Sequence, residues 1–214
     1  MPSPPSPTVF VVDDDAAVRK AVSRLLRSAG IAAAVFASSR EFLAQYDPVA
    51  PGCLVLDIAM PGFSGLELQT TLGEKGNVLP IIFLTGHGDV SKSVQAMKGG
   101  AFDFLTKPVN AKNLLPAIRA AIERDAVSRG EQAELSEIHA RLDTLTPRER
   151  EVLQHVVAGK MNKQIAGDLG ITEATVKMHR ARVMAKMKVQ SVAELARLTE
   201  RCGIRGTNSL KSAA

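Results

Sequence analysis

In the first half of the chain, Asp13 with Asp14, then Asp57, Thr85 and Lys107, each stand at or just after the end of a short apolar run. The runs are Val9 to Val12, Cys53 to Leu56, Ile81 to Leu84 and Ala101 to Leu105. They are continuous rather than alternating, the pattern of parallel strands covered on both faces. In an open α/β sheet the carboxyl ends of the strands converge on one crevice. Three carboxylates, a hydroxyl and an amine are therefore expected to meet there, a set suited to a hard divalent cation and a phosphoryl group, with one carboxylate as acceptor. Singly, Asp13 to Asp15 would read as a turn or helix start and Thr85 as an ordinary strand-end residue. Their joint placement at four strand ends carries the reading.

The elements that must hold these groups alternate strand and helix, which argues for successive βαβ units. A further strand fits Ile31 to Ala37, and Ser38 with Glu41 and Ser64 with Glu67 have capping-box spacing at helix starts. Five strands and about five helices then fill residues 8 to 124, a doubly wound α/β domain with a parallel sheet. Pro116 falls inside the fifth helix and cannot donate to the carbonyl four residues back, so Asn113 is the expected N-cap and a late start is expected. From Leu115 to Leu142, Ile118, Ile122, Leu135, Ile138 and Leu142 form an apolar stripe at helical spacing that Gly130 could break, and residues 125 to 143 read as a helical linker. Packing inside the chain and a dimer seam both fit that stripe.

The 214 residues suit two domains, and their charge is uneven. Residues 1 to 125 carry 12 basic and 12 acidic side chains, whereas residues 126 to 214 carry 15 basic and 10 acidic, so the whole net charge of +5 sits in the second part. A small basic domain points to an anionic polymer, nucleic acid first. Cys53 and Cys202 have no metal-ligand spacing and make no disulfide scaffold. The start has neither a basic nor an apolar targeting region, and no run nears the ~20 residues of a membrane span. A cytoplasmic protein is expected, with a Pro-rich disordered arm at 1 to 7 and a frayed tail at 205 to 214.

With ThrGlyHisGlyAspVal at 85 to 90, these positions resemble the receiver domain of two-component response regulators, close to the FixJ-type branch. The resemblance implies the strand order 2-1-3-4-5, with Asp57 as phosphoacceptor. It implies Mg2+ held directly by Asp14, the Asp57 carboxylate and the Ala59 carbonyl, and by Asp13 through water. Crowded carboxylates repel one another unless a cation neutralises them. Lys107 would pair with a phosphoryl oxygen, ahead of a cis bond to Pro108, and Thr85 would donate its hydroxyl to another. Phe104 stands at the family's aromatic switch position, where its ring would turn into space vacated by Thr85 and favour a dimer-forming face of the fourth helix and fifth strand. FixJ-type chains usually carry Arg where Ala59 stands. In that family the positions of Ala59 and His87 flank the path of the attacking water, so the resemblance implies that they bear on phosphoryl lifetime.

Near the other end, ThrProArgGlu at 146 to 149 combines an N-cap, Pro at the first helical position and Glu three residues after the cap. GlyLysMetAsnLysGlnIleAla at 159 to 166, LeuGlyIleThr at 169 to 172 and ThrValLysMetHisArgAlaArgValMet at 175 to 184 follow. Gly170 and Thr172 would make the short turn of a helix-turn-helix. This pattern is similar to LuxR-type DNA-binding domains. In the helix from Glu173 to Met187, Val176, Val183 and Met187 suit a core, while Thr175, Lys177, Met178, Ala181 and Arg182 would face the major groove. Lys160, Asn162 and Lys163 would brace phosphates, and His179 fits packing or phosphate contact equally. For the last helix, from 191 to 198, the resemblance implies a dimer contact through Val192, Leu195 and Leu198, with core packing as the rival.

The whole reads as a phosphorylation-controlled transcription regulator, an activator, and not an enzyme. Its implied partners are a sensor histidine kinase, promoter DNA, RNA polymerase and a second copy of the chain on phosphorylation, with no membrane. A phosphohydrolase using an aspartyl nucleophile is the enzymatic rival. Ala59 stands where such hydrolases of the haloacid-dehalogenase type place their second acid.

Overall fold

The computed structural model describes residues 6–77, 79–86 and 90–204. The outer part of the expected arm, the expected tail at 205–214 and His87 lie outside the described residues. The chain divides into two compact units, Met1–Gly130 and Glu131–Ala214.

In the first unit, strands β1 (Thr8–Val12), β2 (Ala32–Phe36), β3 (Gly52–Asp57), β4 (Ile81–Thr85) and β5 (Asp103–Thr106) alternate with helices α1 (Ala16–Ser28), α2 (Ser39–Gln45), α3 (Gly65–Glu74), α4 (Val90–Lys98) and α5 (Ala111–Asp143). The strands form one parallel sheet in the order β2-β1-β3-β4-β5. Its three central strands are buried almost throughout. Alternate residues serve opposite cores, because side chains along a strand alternate faces. Phe10, Val12, Leu54, Leu56, Ile81 and Phe83 pack on one face, and Val9, Val11, Cys53, Val55, Ile82 and Leu84 on the other. The edge strands behave differently. β5 begins at Asp103, not Ala101, and alternates between half-buried and exposed residues, and β2 is largely exposed. At an edge, Leu105 still packs into the core while Phe104 is left 42% exposed.

The expectation for the fifth helix is corrected. α5 starts at Ala111, with Asn110 rather than Asn113 capping it: Asn110 Oδ1 accepts from the Lys112 N–H at 2.8 Å. Pro116 stays inside the helix. Its missing hydrogen bond, of a kind that costs about 3 kcal/mol in a helix interior, is offset by burial of Leu114, Ala117, Ile118 and Ala121 against the sheet. Nor does Gly130 break the helix, which runs 33 residues. The expected linker is shared between the units. Asp125 is fully buried in the first, accepts from the Gly52 N–H at 2.8 Å, and pairs with Arg129 Nε at 2.8 Å. Arg129 also donates to the carbonyls of Pro48, Val49 and Ala50. Gly52 itself can be nothing else: its φ is +149° and a Cβ would lie 1.8 Å from the Thr8 carbonyl oxygen. Next to it Cys53 is fully buried, and burial, aided by the Asp125 charge, pushes its thiol up to about 12.

In the second unit the end of α5 packs with α6 (Pro147–Val157), α7 (Asn162–Leu169), α8 (Glu173–Met187) and α9 (Val192–Arg201). Ile138, Leu142, Val152, Leu153, Ile165, Val176, Val183 and Leu195 form its core. The ThrProArgGlu start is a full capping box with Pro in the first turn. Glu149 of that box is buried and meets Lys186 Nζ at 2.6 Å, tying α6 to α8.

Candidate phosphoryl site and nucleic-acid interface

Register brings the acidic residues together. Val12 of β1 pairs with Leu56 of β3, so the residues that follow each, Asp13 and Asp57, leave the sheet side by side. Carboxylate oxygens of Asp13, Asp14 and Asp57 all lie within 4.8 Å of one another. Lys107 arrives from the end of β5, its N–H bonded to the Thr85 carbonyl at 2.8 Å. The peptide between Lys107 and Pro108 is cis, as the resemblance implied. The ammonium sits 2.7 Å from Asp13 Oδ2 and 2.9 Å from Asp57 Oδ2. The third strand end can approach because α3 opens on Gly65, where a Cβ would stand 2.2 Å from the Asp57 carbonyl oxygen.

The electrostatics leave a deficit of positive charge. Asp13 is fully buried, and desolvation raises its pKa despite hydrogen bonds from Lys107 and the Asp15 N–H. Burial pulls Lys107 down, but its hydrogen bonds to Asp13 and Asp57 win and leave it above its ordinary value. Apart from the nearby ammonium, Asp13 Oδ2 has no hydrogen-bond partner among the described residues. A buried carboxylate oxygen with unused acceptor capacity, flanked by two further carboxylates, is the donor set a hard cation takes. The residues present fit Mg2+.

Asp15, by contrast, points away and caps α1, accepting from the Ala17 N–H. Ala59 is exposed, and its N–H lies 3.3 Å from Asp57 Oδ1. Thr85 is buried, with its hydroxyl directed at the Gly86 carbonyl oxygen at 3.2 Å. One residue that the sequence reading missed is Arg19, whose guanidinium donates to the Asp13 carbonyl at 2.7 Å. The available signal was its place on the helix that starts directly after the acidic run.

In the second unit Gly170 ends α7 in the left-handed region at φ 64°, and Thr172 caps α8 by accepting from the Thr175 N–H, the expected turn. Along α8, Val176, Val183 and Met187 are buried, whereas Lys177, Met178, Ala181 and Arg182 are exposed together and Thr175 is half-buried beside Thr172. Lys163 is exposed at the start of α7. The other two bracing residues are engaged within the protein. Lys160 Nζ lies 2.7 Å from Asp168 Oδ2, and Asn162 Oδ1 accepts from Arg180 at 2.8 Å. Arg180 was not foreseen, because it falls between the inner and outer faces of α8. Of the expected dimer contacts, Val192 and Leu198 keep partial exposure, but Leu195 is fully buried in the domain's own core. Leu195 is therefore a packing residue, not a contact surface. Among the described residues no helix is long and apolar enough to cross a membrane.

Comparison with known proteins agrees with this geometry. The family "Response regulator receiver domain" matches residues 9–119, and "Bacterial regulatory proteins, luxR family" matches residues 143–199. Nodulation protein W of Bradyrhizobium diazoefficiens is 47% identical over 196 residues, spanning 92% of this chain and 86% of that one. Transcriptional regulatory protein FixJ of Rhizobium meliloti is 45% identical over 191 residues, 89% of this chain and 94% of that one. Among solved structures, response regulator StyR superposes with a TM-score of 0.83 at 46% identity, covering 92% of this chain and 99% of that one. Full-length FixJ from B. japonicum gives 0.57 at 40% identity, covering 94% and 98%. From the acidic pocket, the helix-turn-helix and these relatives together, the chain belongs to the two-component response regulators that join a receiver to a LuxR-family DNA-binding domain and regulate transcription.

Proposed function

We propose that Asp57 is the residue phosphorylated, and that the donor is the phosphohistidine of a sensor kinase. The observation that carries this is the single ammonium of Lys107 shared between buried Asp13 and Asp57. An Asp57 oxygen attacks phosphorus, the O–P bond forms as the donor's N–P bond breaks, and the electron pair stays with the histidine ring. Asp13, Asp14, Asp57 and the Ala59 carbonyl would hold Mg2+, which when bound draws charge from the phosphoryl oxygens. Lys107, already poised 2.9 Å from Asp57, follows the new anion. Thr85 turns its hydroxyl from Gly86 toward the phosphoryl group, and the exposed ring of Phe104 moves into the space it leaves. The altered face of α4 and β5 pairs with a second copy, with Val192 of α9 adding a contact. The paired reader units bind promoter DNA through Thr175, Lys177, Met178, Ala181 and Arg182 and recruit RNA polymerase as an activator in the cytoplasm.

The test is acetyl phosphate with native protein and Asp57→Asn. Native protein should take up label at one site and Asp57→Asn none while keeping its circular dichroism. Labelling of the variant at native stoichiometry would remove Asp57 as acceptor.

A further inference from the structure

We infer that Arg19 is a positioning residue for the cation site, acting on Asp14 through the peptide that joins it to Asp13. This rests on the reading of Asp13, Asp14 and Asp57 as Mg2+ ligands.

Asp13 is well restrained. Its side chain accepts from the Asp15 N–H at 2.9 Å and faces Lys107, and its own N–H reaches the Phe36 carbonyl at 3.3 Å. Asp14 is not. It is exposed, and its carboxylate makes no hydrogen bond or ion pair with the described residues. Its direction is thus set by the backbone that carries it. That backbone leaves the sheet at the end of β1, where the Asp13 carbonyl no longer has a strand neighbour.

Arg19 supplies the partner. The Arg19 N–H bonds the Asp15 carbonyl at 3.0 Å within the first turn of α1, and the guanidinium reaches back to the Asp13 carbonyl oxygen at 2.7 Å. A peptide group is planar, so fixing the Asp13 oxygen fixes the plane from which the Asp14 Cα departs. One side chain therefore ties the acidic corner to a helix and aims its exposed ligand. Groups that orient metal ligands without touching the metal typically matter about 10- to 100-fold in affinity.

The test measures Mg2+ binding by calorimetry, and by amide shifts of Asp14 and Asp57, in the full-length native protein, Arg19→Met and Arg19→Lys. Arg19→Met keeps the apolar stem but has no donor. It should weaken Mg2+ about 10- to 100-fold with an unchanged melting temperature in chelator. Arg19→Lys, which can still donate one hydrogen bond, should recover most of the loss. With acetyl phosphate, Arg19→Met should raise the Mg2+ concentration for half-maximal labelling and leave the rate at saturating Mg2+ close to native. Mg2+ affinity in Arg19→Met equal to native overturns the proposal. So does equal loss in both variants accompanied by a lower melting temperature, which would make Arg19 a support of the fold alone. Native protein that takes up no Mg2+ would instead overturn the reading of the pocket beneath it.

Discussion

Lys107 holds one ammonium between two carboxylates, and much of the receiver's behaviour at residue level follows from that sharing. Removing it leaves Asp13 buried and uncompensated, a loss that costs about 3–5 kcal/mol for a buried pair. Lys107 is 22% exposed, so the lower end applies. Lys107→Met should therefore melt earlier than native protein in chelator, and added Mg2+ should raise its melting temperature more than it raises the native one. Equal Mg2+ shifts in the two proteins would show that Lys107 does not compensate the pocket. Ala59 invites a second test. Its exposed methyl neither blocks nor orients water beside Asp57, so Ala59→Arg should lengthen the lifetime of the phosphoryl group, read as slower loss of label. The five pocket residues were legible because each ends an apolar run. Arg19 was not, because its partner is a backbone carbonyl, which no residue type announces.

At the scale of elements, two joints depend on contacts that close at short range. Gly65 lets the start of α3 reach the end of β3, and a Cβ there would sit 2.2 Å from the Asp57 carbonyl oxygen. Gly65→Ala should cost about 1–3 kcal/mol as an overpacked contact and also slow phosphorylation, since the carbonyl displaced belongs to the acceptor itself. Denaturant melts together with labelling rates read both. In the second unit, Lys186 beside Glu149, with the Thr146 N–H, holds the Glu149 carboxyl below its ordinary 4.5. A carboxyl whose folded pKa is depressed binds protons more readily when unfolded. The stability it gives is therefore complete above about pH 4.5 and is lost as pH falls through the lower folded value. Lys186→Met should flatten that acid limb of the reader's melting curve, and an unchanged limb would assign acid sensitivity to other groups. Helix starts were readable in advance from Ser38, Ser64 and Thr146, whose oxygens cap the helices that follow. The start of α5 was misplaced because local rules weighed Pro116, whereas the burial of Leu114 and Ile118 on the sheet decided it.

For the whole molecule, DNA affinity and base choice should separate. Lys163 is exposed and placed for phosphate, so Lys163→Ala should weaken all sequences alike and lower the salt slope by about 1. Lys160→Ala should change the slope less, because its ammonium is already spent on Asp168. Arg182→Ala or Met178→Ala should cost roughly 1–3 kcal/mol at one base position. Equal weakening of specific and random DNA by these two would take α8 out of base reading. The two-unit plan was visible in the charge imbalance, but the boundary falling inside one helix was not, since the Asp125–Arg129 pairing and the burial of Ile138 are tertiary facts. The two thiols fall on either side of that boundary and differ in exposure. Cys202 is half-buried, while Cys53 is sealed within the central strand β3 with its proton held to about 12. The chain thus carries a clock for the opening of its receiver alone. A maleimide should label Cys202 in the native protein first and reach Cys53 only when the sheet opens, and a cation that binds the closed form should slow that second hand by the factor its binding free energy sets.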